Sequence, residues 1–595
     1  MHGDTRRNDQ PKKLMQERSN SATHASAAIV MALAANMAAA QVTPMPPDAG
    51  TLSNINRPPP AAAAPKAPTL DIQQEIRPPL VTPGGAKVRV QSFSVTGNTV
   101  FPSERLEALL APYVGKELDL AGLDEAASLI SQFYRRNGYF VARAYLPAQD
   151  VSSGRLQVAV IEGRLGAVKV KRAPGMRLRE DVVDQVVTNA AKPGTPISER
   201  NVERGLLLLN DMPGVEVKST LVPGATPGTS DLVVEASESA RVNGSVDADN
   251  FGNRYTGVAR VGGTLNFNDL SGRGDQITTR FTTSGSGMQF LRGAYITPVG
   301  SVGTKLGIAG STLHYKLGKE FSPLDAHGTA DVLSAYAIHP FLRTRNASTY
   351  GTISFDKKRL KDDQLGRNTD DKDLDVLNLG LSGDMRDNAG GGGISSASIT
   401  LTSGRLGLGR NAVFAAADAL TGQTAGRFSK LMVGAARLQR IDDNWGLYVN
   451  FSAQTSNKNL DSSEKFILGG QGVRAYPQGE AAGDAGALLN IEGRYTMPSF
   501  EYGTMQLVTF FDYGSVRLHH TPWLGWQPVG RPNFPNSYSL KGAGFGANLF
   551  ARGGLSLRAS VAWKIGSNPG ADALGRDSDT TDKNPRLWLQ ASKQF

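Results

Sequence analysis

The chain has 595 residues, 40% of them hydrophobic and 20% charged, with 67 Gly, 32 Pro and no Cys. Lack of thiols excludes disulfide scaffolds, thiolate zinc sites, Fe–S clusters and cysteine nucleophiles. A net charge of +10 carried by scattered basic residues forms no stripe for duplex nucleic acid, so no nucleic-acid partner is expected. Apart from an Ala-rich run near the start no stretch of 18 residues is strongly apolar, which excludes helical membrane spanning for the mature protein.

Arg6, Arg7, Lys12, Lys13 and Arg18 precede the uncharged run Ala25 to Ala40, which ends in small residues before Gln41. This pattern predicts a secretory signal peptide over residues 1–40, with Met15 as an alternative start. Residues 41–87 form a linker whose eleven prolines between Gln41 and Pro83 forbid continuous helix or sheet. Between the proline clusters, Asp48 to Asn56 is long enough for two helical turns capped by Asp48.

Two α+β modules follow, residues 88–163 and 164–239. In the first, an alternating strand from Val88 to Thr96 leads to a helix capped by Ser103. A second helix, opened by Asp119 and stopped by Gly138, carries Leu123, Ala127, Ile130, Phe133 and Tyr134 as one stripe. Strands Phe140 to Leu146 and Leu156 to Ile161 complete a β-α-α-β-β order. That order recurs after Arg164, with the turn Asn210-Asp-Met-Pro-Gly214 before its last two strands, which implies a tandem repeat. Each module offers an open sheet edge able to take an extended peptide as an added strand, with Phe140, Val141 and Tyr145 as the candidate edge of the first. Modules serving only as rigid spacers would have the same pattern.

From residue 240 to 595 the texture changes to period-two runs between Gly, Asn, Asp and Ser turns. In Gly554 to Ile565, Leu555, Leu557, Ala559, Val561, Trp563 and Ile565 point one way, Ser556, Arg558, Ser560 and Lys564 the other. Apolar outside and polar inside is the pattern of a transmembrane barrel. About sixteen such runs, from near Arg241 to Arg586, predict a closed 16-stranded antiparallel barrel, since unpaired backbone cannot be left in hydrocarbon. Long outward connections are expected at Asp362 to Lys372 and His519 to Asn536.

One connection, Gly469 to Gly479, holds Val473, Arg474 and Tyr476 among glycines, which argues for a packed loop carrying a cation. In the strand Val508-Thr-Phe-Phe-Asp-Tyr-Gly514, alternation sends Phe510 and Asp512 inward, and on the preceding strand it does the same for Glu492. Arg474 suits both carboxylates as a planar bidentate partner, folding the loop into the lumen. Periodicity leaves a second option open, in which the two carboxylates are hydrated lumen residues. No nucleophile, metal-ligand set, G-x-S-x-G element or phosphate-binding loop accompanies them, so no catalytic residue, metal or cofactor is expected.

These pieces resemble the TpsB transporters of two-partner secretion, the FhaC/ShlB/HecB haemolysin secretion and activation family of the BamA-like superfamily, over nearly the full chain. The resemblance rests on Asn98 and Phe101, Asn137-Gly-Tyr139, Asn210 to Gly214, Asp249 to Gly257, Asn268 to Gln276, Val473-Arg-Ala-Tyr476, Phe510 to Gly514 and the terminal Phe595. Ala475 stands where the family has Gly. The resemblance implies periplasmic POTRA modules that capture an unfolded TpsA-type exoprotein. It also implies a plug helix bearing Asp48, Leu52 and Ile55, a loop locked by Arg474 onto Asp512 and Glu492, and Phe595 as the signal read by the barrel assembly machinery in the outer-membrane lipid. The alternative is a factor that assembles other outer-membrane proteins.

Overall fold

In a computed structural model of the chain, the described residues are 47–56, 69–72 (backbone only), 87–528 and 530–595. The signal peptide expected over residues 1–40 lies outside them. None of the described helices is long and apolar enough to cross a membrane. Sixteen strands close into one antiparallel barrel, the first being Val242–Asp249 and the last Arg586–Gln594. Each strand pairs with its sequence neighbour, and the ring shuts where Ser245 to Asp249 face Gln594 to Gln590.

Period-two patterning explains the wall. On the strand Leu555–Lys564, Leu557 and Trp563 stand 39% and 37% exposed on the outside, whereas inward-facing Ala562 is fully buried. The same alternation places Leu507 and Phe511 outside and Val508, Phe510 and Asp512 inside on the strand Gly503–Arg517.

The expected connection Asp362 to Lys372 is instead strand. Ala347–Gln364 and Arg367–Asp387 run to a two-residue turn at Leu365 and Gly366, whose φ values are 51° and 71°. Both residues are left-handed, as a tight hairpin requires, and Leu-Gly is a weak sequence signal for such a turn. Four aspartates make the segment read as loop. The connection from His519 to Asn536 does lie between strands, Gly503–Arg517 and Ser537–Ala551.

The first module has a three-stranded sheet, with Arg155–Ile161 central between Ser92–Thr96 and Arg143–Tyr145. Its helices Ser103–Leu110 and Leu120–Arg136 bury Leu106, Leu110, Leu123, Ala127, Ile130 and Tyr134 against that sheet. Ser103 is the first helical residue rather than the cap, which is Pro102, and its hydroxyl bonds to Asn98 instead. The strand expected from Phe140 begins at Arg143. Phe140 and Val141 lie in the preceding turn and pack on the core of the second module, so they join the modules rather than line a free edge. Tyr145 is on the edge strand and 37% exposed.

The second module builds a four-stranded sheet whose outermost member comes from the linker. Thr69–Ile72 pairs in parallel with Lys218 to Leu221 of the strand Val215–Pro223. One edge expected to be open is therefore already taken by the chain itself. This module also docks on the barrel: Asp211 receives Arg343 Nε and Nη2 at 2.8 and 3.0 Å, its carbonyl receives Lys305 Nζ at 2.7 Å, and Arg345 meets Glu203 at 2.9 Å. Connections 300–303 and 344–346 thus mark the module's end of the barrel, and the hairpin at Leu365 lies at the opposite end.

Candidate functional site: a pinned loop and a seated helix in the lumen

Between the strands Trp445–Ser456 and Ala485–Thr496 the chain turns inward and packs on the inner wall. Val473, Ala475 and Tyr476 are fully buried there. Room for this packing comes from glycines on the wall. A Cβ on Gly514 would lie 2.7 Å from Leu468 and 3.0 Å from Val473, and one on Gly542 would lie 2.6 Å from Ala475 Cβ. Ala475 is not among the residues of positive φ, so the Ala at this position introduces no backbone strain.

Arg474 is the junction of loop and wall. Its Nε and Nη2 donate to the two oxygens of Asp512 at 2.9 and 2.7 Å, and its backbone N–H donates to Asp512 Oδ2 at 3.0 Å. Nη1 donates to Glu492 Oε1 at 2.7 Å. The guanidinium carbon stands 3.5 Å from the centre of the Phe510 ring, adding a cation–π contact. Asp512 is fully buried and also accepts from Asn490 Nδ2 at 2.8 Å. Glu492 takes a second guanidinium, Arg494, at 2.6 and 2.9 Å. Two carboxylates therefore meet two guanidiniums, and the site is neutral. Of the residues singled out from sequence, Val473, Arg474, Tyr476, Glu492, Phe510, Asp512 and Gly514 come together in this one place.

Trp588 was not foreseen. From the last strand its indole Nε1 donates to the Arg474 carbonyl at 2.7 Å, tying the loop to the closing seam. Inward parity on Arg586–Gln594 was the only sequence signal for it. Arg494 as the partner of Glu492 was likewise readable only as an i, i+2 neighbour on the same strand face.

The second element of the lumen is the helix Ala49–Ile55, with Asp48 accepting from the Thr51 N–H at 2.8 Å as N-cap. It lies inside the barrel. Leu52 is 1% exposed in an apolar cluster with Phe290, Leu313, Leu360, Leu374 and Phe428, so this part of the interior is apolar where the helix sits. Ile55 is half-buried at the other end. The helix N–H of Ala49 donates to Asp362 Oδ1 at 2.9 Å, and Asp48 Oδ2 accepts from Ser462 at 2.6 Å. Asn54 Nδ2 donates to the Lys465 carbonyl at 2.8 Å. A Cβ on Gly50 would fall 2.2 Å from Ser462 Oγ, so only Gly lets the helix approach the inward loop this closely.

Helix and loop thus share one clamp. Residues Asp461 to Lys465, which grip the helix, belong to the same inward-turning connection that Arg474 pins further along the chain. The clamp is fixed to the wall by Lys372 to Asp461 at 2.8 Å and by Lys430 to Glu464 at 2.7 Å. Phe595 ends the chain at the seam, its N–H and carbonyl paired with Gly244 at 3.1 and 3.0 Å, its ring 61% exposed.

Comparison with known proteins adds the following. Residues 228–530 match the family model described as haemolysin secretion/activation protein ShlB/FhaC/HecB, and residues 88–163 match the POTRA domain of ShlB type. The heme/hemopexin transporter protein HuxB of Haemophilus influenzae (strain 86-028NP) is 28% identical over 89% of this chain and 90% of its own length. The outer membrane transporter CdiB of Escherichia coli O6:K15:H31 is 26% identical over 71% of this chain and 72% of its own. Among solved structures, CdiB from Escherichia coli superposes with a TM-score of 0.68 at 22% identity, covering 87% of this chain and 93% of that one. CdiB from Acinetobacter baumannii gives 0.59 at 15% identity over the full length of both chains.

Proposed function

Because the chain belongs to the haemolysin secretion/activation family ShlB/FhaC/HecB, we propose that its lumen is a gate, closed by the helix Ala49–Ile55 and the loop pinned by Arg474, and opened by an unfolded cargo. The protein is an outer-membrane transporter that secretes a partner exoprotein, with its POTRA part in the periplasm. The partner on this reading is a TpsA-type chain, threaded outward without nucleotide hydrolysis and folding outside, so that no catalytic step is required.

The cargo would dock by strand addition, using its own main-chain hydrogen bonds, on an edge of the POTRA sheets. Tyr145 marks such an edge in the first module. In the second, the cargo competes with the linker strand Thr69–Ile72, so binding there couples to release of the helix that the same linker carries. The corresponding division of the chain is a signal peptide over 1–40, plug and linker over 41–87, modules over 88–163 and 164–239, and barrel over 240–595. The outward apolar band contacts outer-membrane lipid, and Phe595 is read by the barrel assembly machinery during insertion.

The observation that carries the gate is the physical continuity of the two blocking elements: Asp461 to Lys465 hold the helix, and Arg474, further along the same inward-turning connection, is bound to Asp512. Secretion of the cognate exoprotein by Arg474→Ala in cells tests it. A barrel that assembles normally and secretes at an unchanged rate refutes the gate.

A further inference from the structure

The pinned loop balances its charges, whereas the seat of the helix does not. Around the helix N-terminus, Asp48, Asp362, Asp370 and Asp461 share the single ammonium of Lys372, which lies 2.6 Å from Asp370, 2.8 Å from Asp461 and 3.5 Å from Asp48. The nearby Lys358 and Lys430 are both engaged by Glu464. Asp362 and Asp370 are direct cross-strand partners, an arrangement in which like charges repel. They are 5% and 7% exposed, and Asp362 Oδ2 and Asp370 Oδ1 are buried with no hydrogen-bond partner among the described residues. Hydrogen bonding therefore leaves two carboxylate oxygens in one buried place unsatisfied.

Asp48, Asp362 and Asp370 each offer a carboxylate oxygen, and these three atoms lie within 4.8 Å of one another. Calcium binds oxygens at about 2.3–2.6 Å, so two ligands on opposite sides of one ion stand about 4.6–5.2 Å apart. We propose that Asp48, Asp362 and Asp370 bind a divalent, oxygen-preferring cation of the calcium class, which ties the plug helix to the barrel wall. The all-oxygen, carboxylate-rich donor set selects such an ion over softer metals. Water and the Ser462 hydroxyl, already 2.6 Å from Asp48, complete the coordination. The site is at the end of the barrel away from the second module, near the Leu365–Gly366 turn, and draws its ion from the external medium.

The test uses the full-length protein, purified in detergent, stripped with a chelator and titrated with CaCl2 in a calorimeter. The expected result is one site with a Kd of about 10⁻⁴–10⁻³ M, the range of extracellular calcium modules. Asp362→Asn keeps an acceptor for the Ala49 N–H, and Asp48→Asn keeps a cap. Each is expected to weaken binding at least tenfold while the barrel keeps its heat-modifiable mobility. In planar bilayers, CaCl2 is expected to lower the frequency of open-channel events in the parent protein and not in either variant. Absence of binding at concentrations tenfold above that range overturns the site. Binding that is equal in the parent and both variants also overturns it, since that is the behaviour of an ion held by co-purified lipid. A protein that secretes normally yet binds no calcium removes this site and leaves the transport reading standing.

Discussion

Replacing Arg474 by Ala removes three hydrogen-bond donors from two carboxylates at once: the side chain gives Nε and Nη2 to Asp512 and Nη1 to Glu492, and Arg494 alone remains on Glu492. A further donor to Asp512, the Arg474 backbone N–H, survives the substitution while the loop stays in place. Asp512 is fully buried, so its charge is left with Asn490 and that N–H. Breaking a buried ion pair from one side costs about 3–5 kcal/mol, much of it the stranded charge. Every 1.4 kcal/mol is tenfold, so the ratio of displaced to docked loop should rise by about 10²–10⁴. The readout is protease cleavage within residues 457–484 of the purified protein, together with the open-channel frequency in bilayers. Arg474→Ala with Asp512→Asn removes the stranded charge and should recover at least half of the loss, expressed as free energy. Arg474→Lys keeps the charge without the bidentate fork and should behave more like Ala than like the parent. Strictly additive effects of Arg474→Ala and Asp512→Ala would show that the two groups are not coupled and would refute the pin.

Deleting Thr69–Ile72 should speed amide exchange of Lys218 to Leu221 by more than tenfold while the rest of that sheet keeps its protection; unchanged exchange would show that the linker does not cover this edge. In the outward loop, burial first and the Lys465 charge second push His519 down to about 3. A His with its pKa depressed in the packed loop contributes stability above its free value near 6.5, which is lost as pH falls below that value. Emission of Trp523 and Trp526, whose rings lie 4.5 and 5.4 Å from His519, should therefore report loosening between about pH 6 and 4, and His519→Gln should flatten the profile. In the first module Glu162 accepts from the Thr99 and Val100 N–H groups at 2.6 and 2.7 Å and from the Tyr134 hydroxyl at 2.8 Å. Burial raises its pKa, these hydrogen bonds outweigh that, and the carboxyl sits below its usual value of 4.5. Glu162→Ala should expose residues 88–163 to proteolysis, with a loss of about 1–3 kcal/mol per stranded buried donor, and Glu162→Gln should lose less.

The wall and the pin were legible in the sequence because a barrel strand writes its geometry in period two. Parity alone put Phe510, Asp512 and Glu492 inside, while composition offered Arg474 as a partner beside the other option of hydrated carboxylates, and the family resemblance favoured the pin. What parity cannot give is distance along the barrel axis or across the lumen. That is why Trp588, 114 residues away in the chain, was missed, and why Gly542 gave no hint that Ala475 would press against it. The hairpin at Leu365 failed for another reason. Its aspartates occupy both faces of the strand pair, Asp362 and Asp370 buried on the lumen side and Asp363 and Asp371 partly exposed on the other, and polar composition on both faces erases the alternation that identifies a strand. Phe140 and Val141 have good strand propensity, yet the core of the neighbouring module claims them, an interaction invisible to any local window.

The two locks of the lumen differ in the way each can be undone. Around Arg474 two guanidiniums meet two carboxylates in an aromatic-lined pocket, so neither salt nor a metal has an unbalanced charge to act on. Only a competing solid object, such as an entering chain pressing on the loop, can displace it. The helix seat has an excess of carboxylate and a small contact, seven residues with one deeply buried Leu. Its hold depends on whatever neutralises Asp362 and Asp370, and it should therefore yield first. Because Asp461 to Lys465 hold the helix and lie in the same inward-turning connection as Arg474, loss of the helix frees one end of that connection and lowers the work a cargo must do on the other. A gate built this way opens in order, helix before loop. A transporter whose loop becomes protease-sensitive while the helix is still seated would contradict that order.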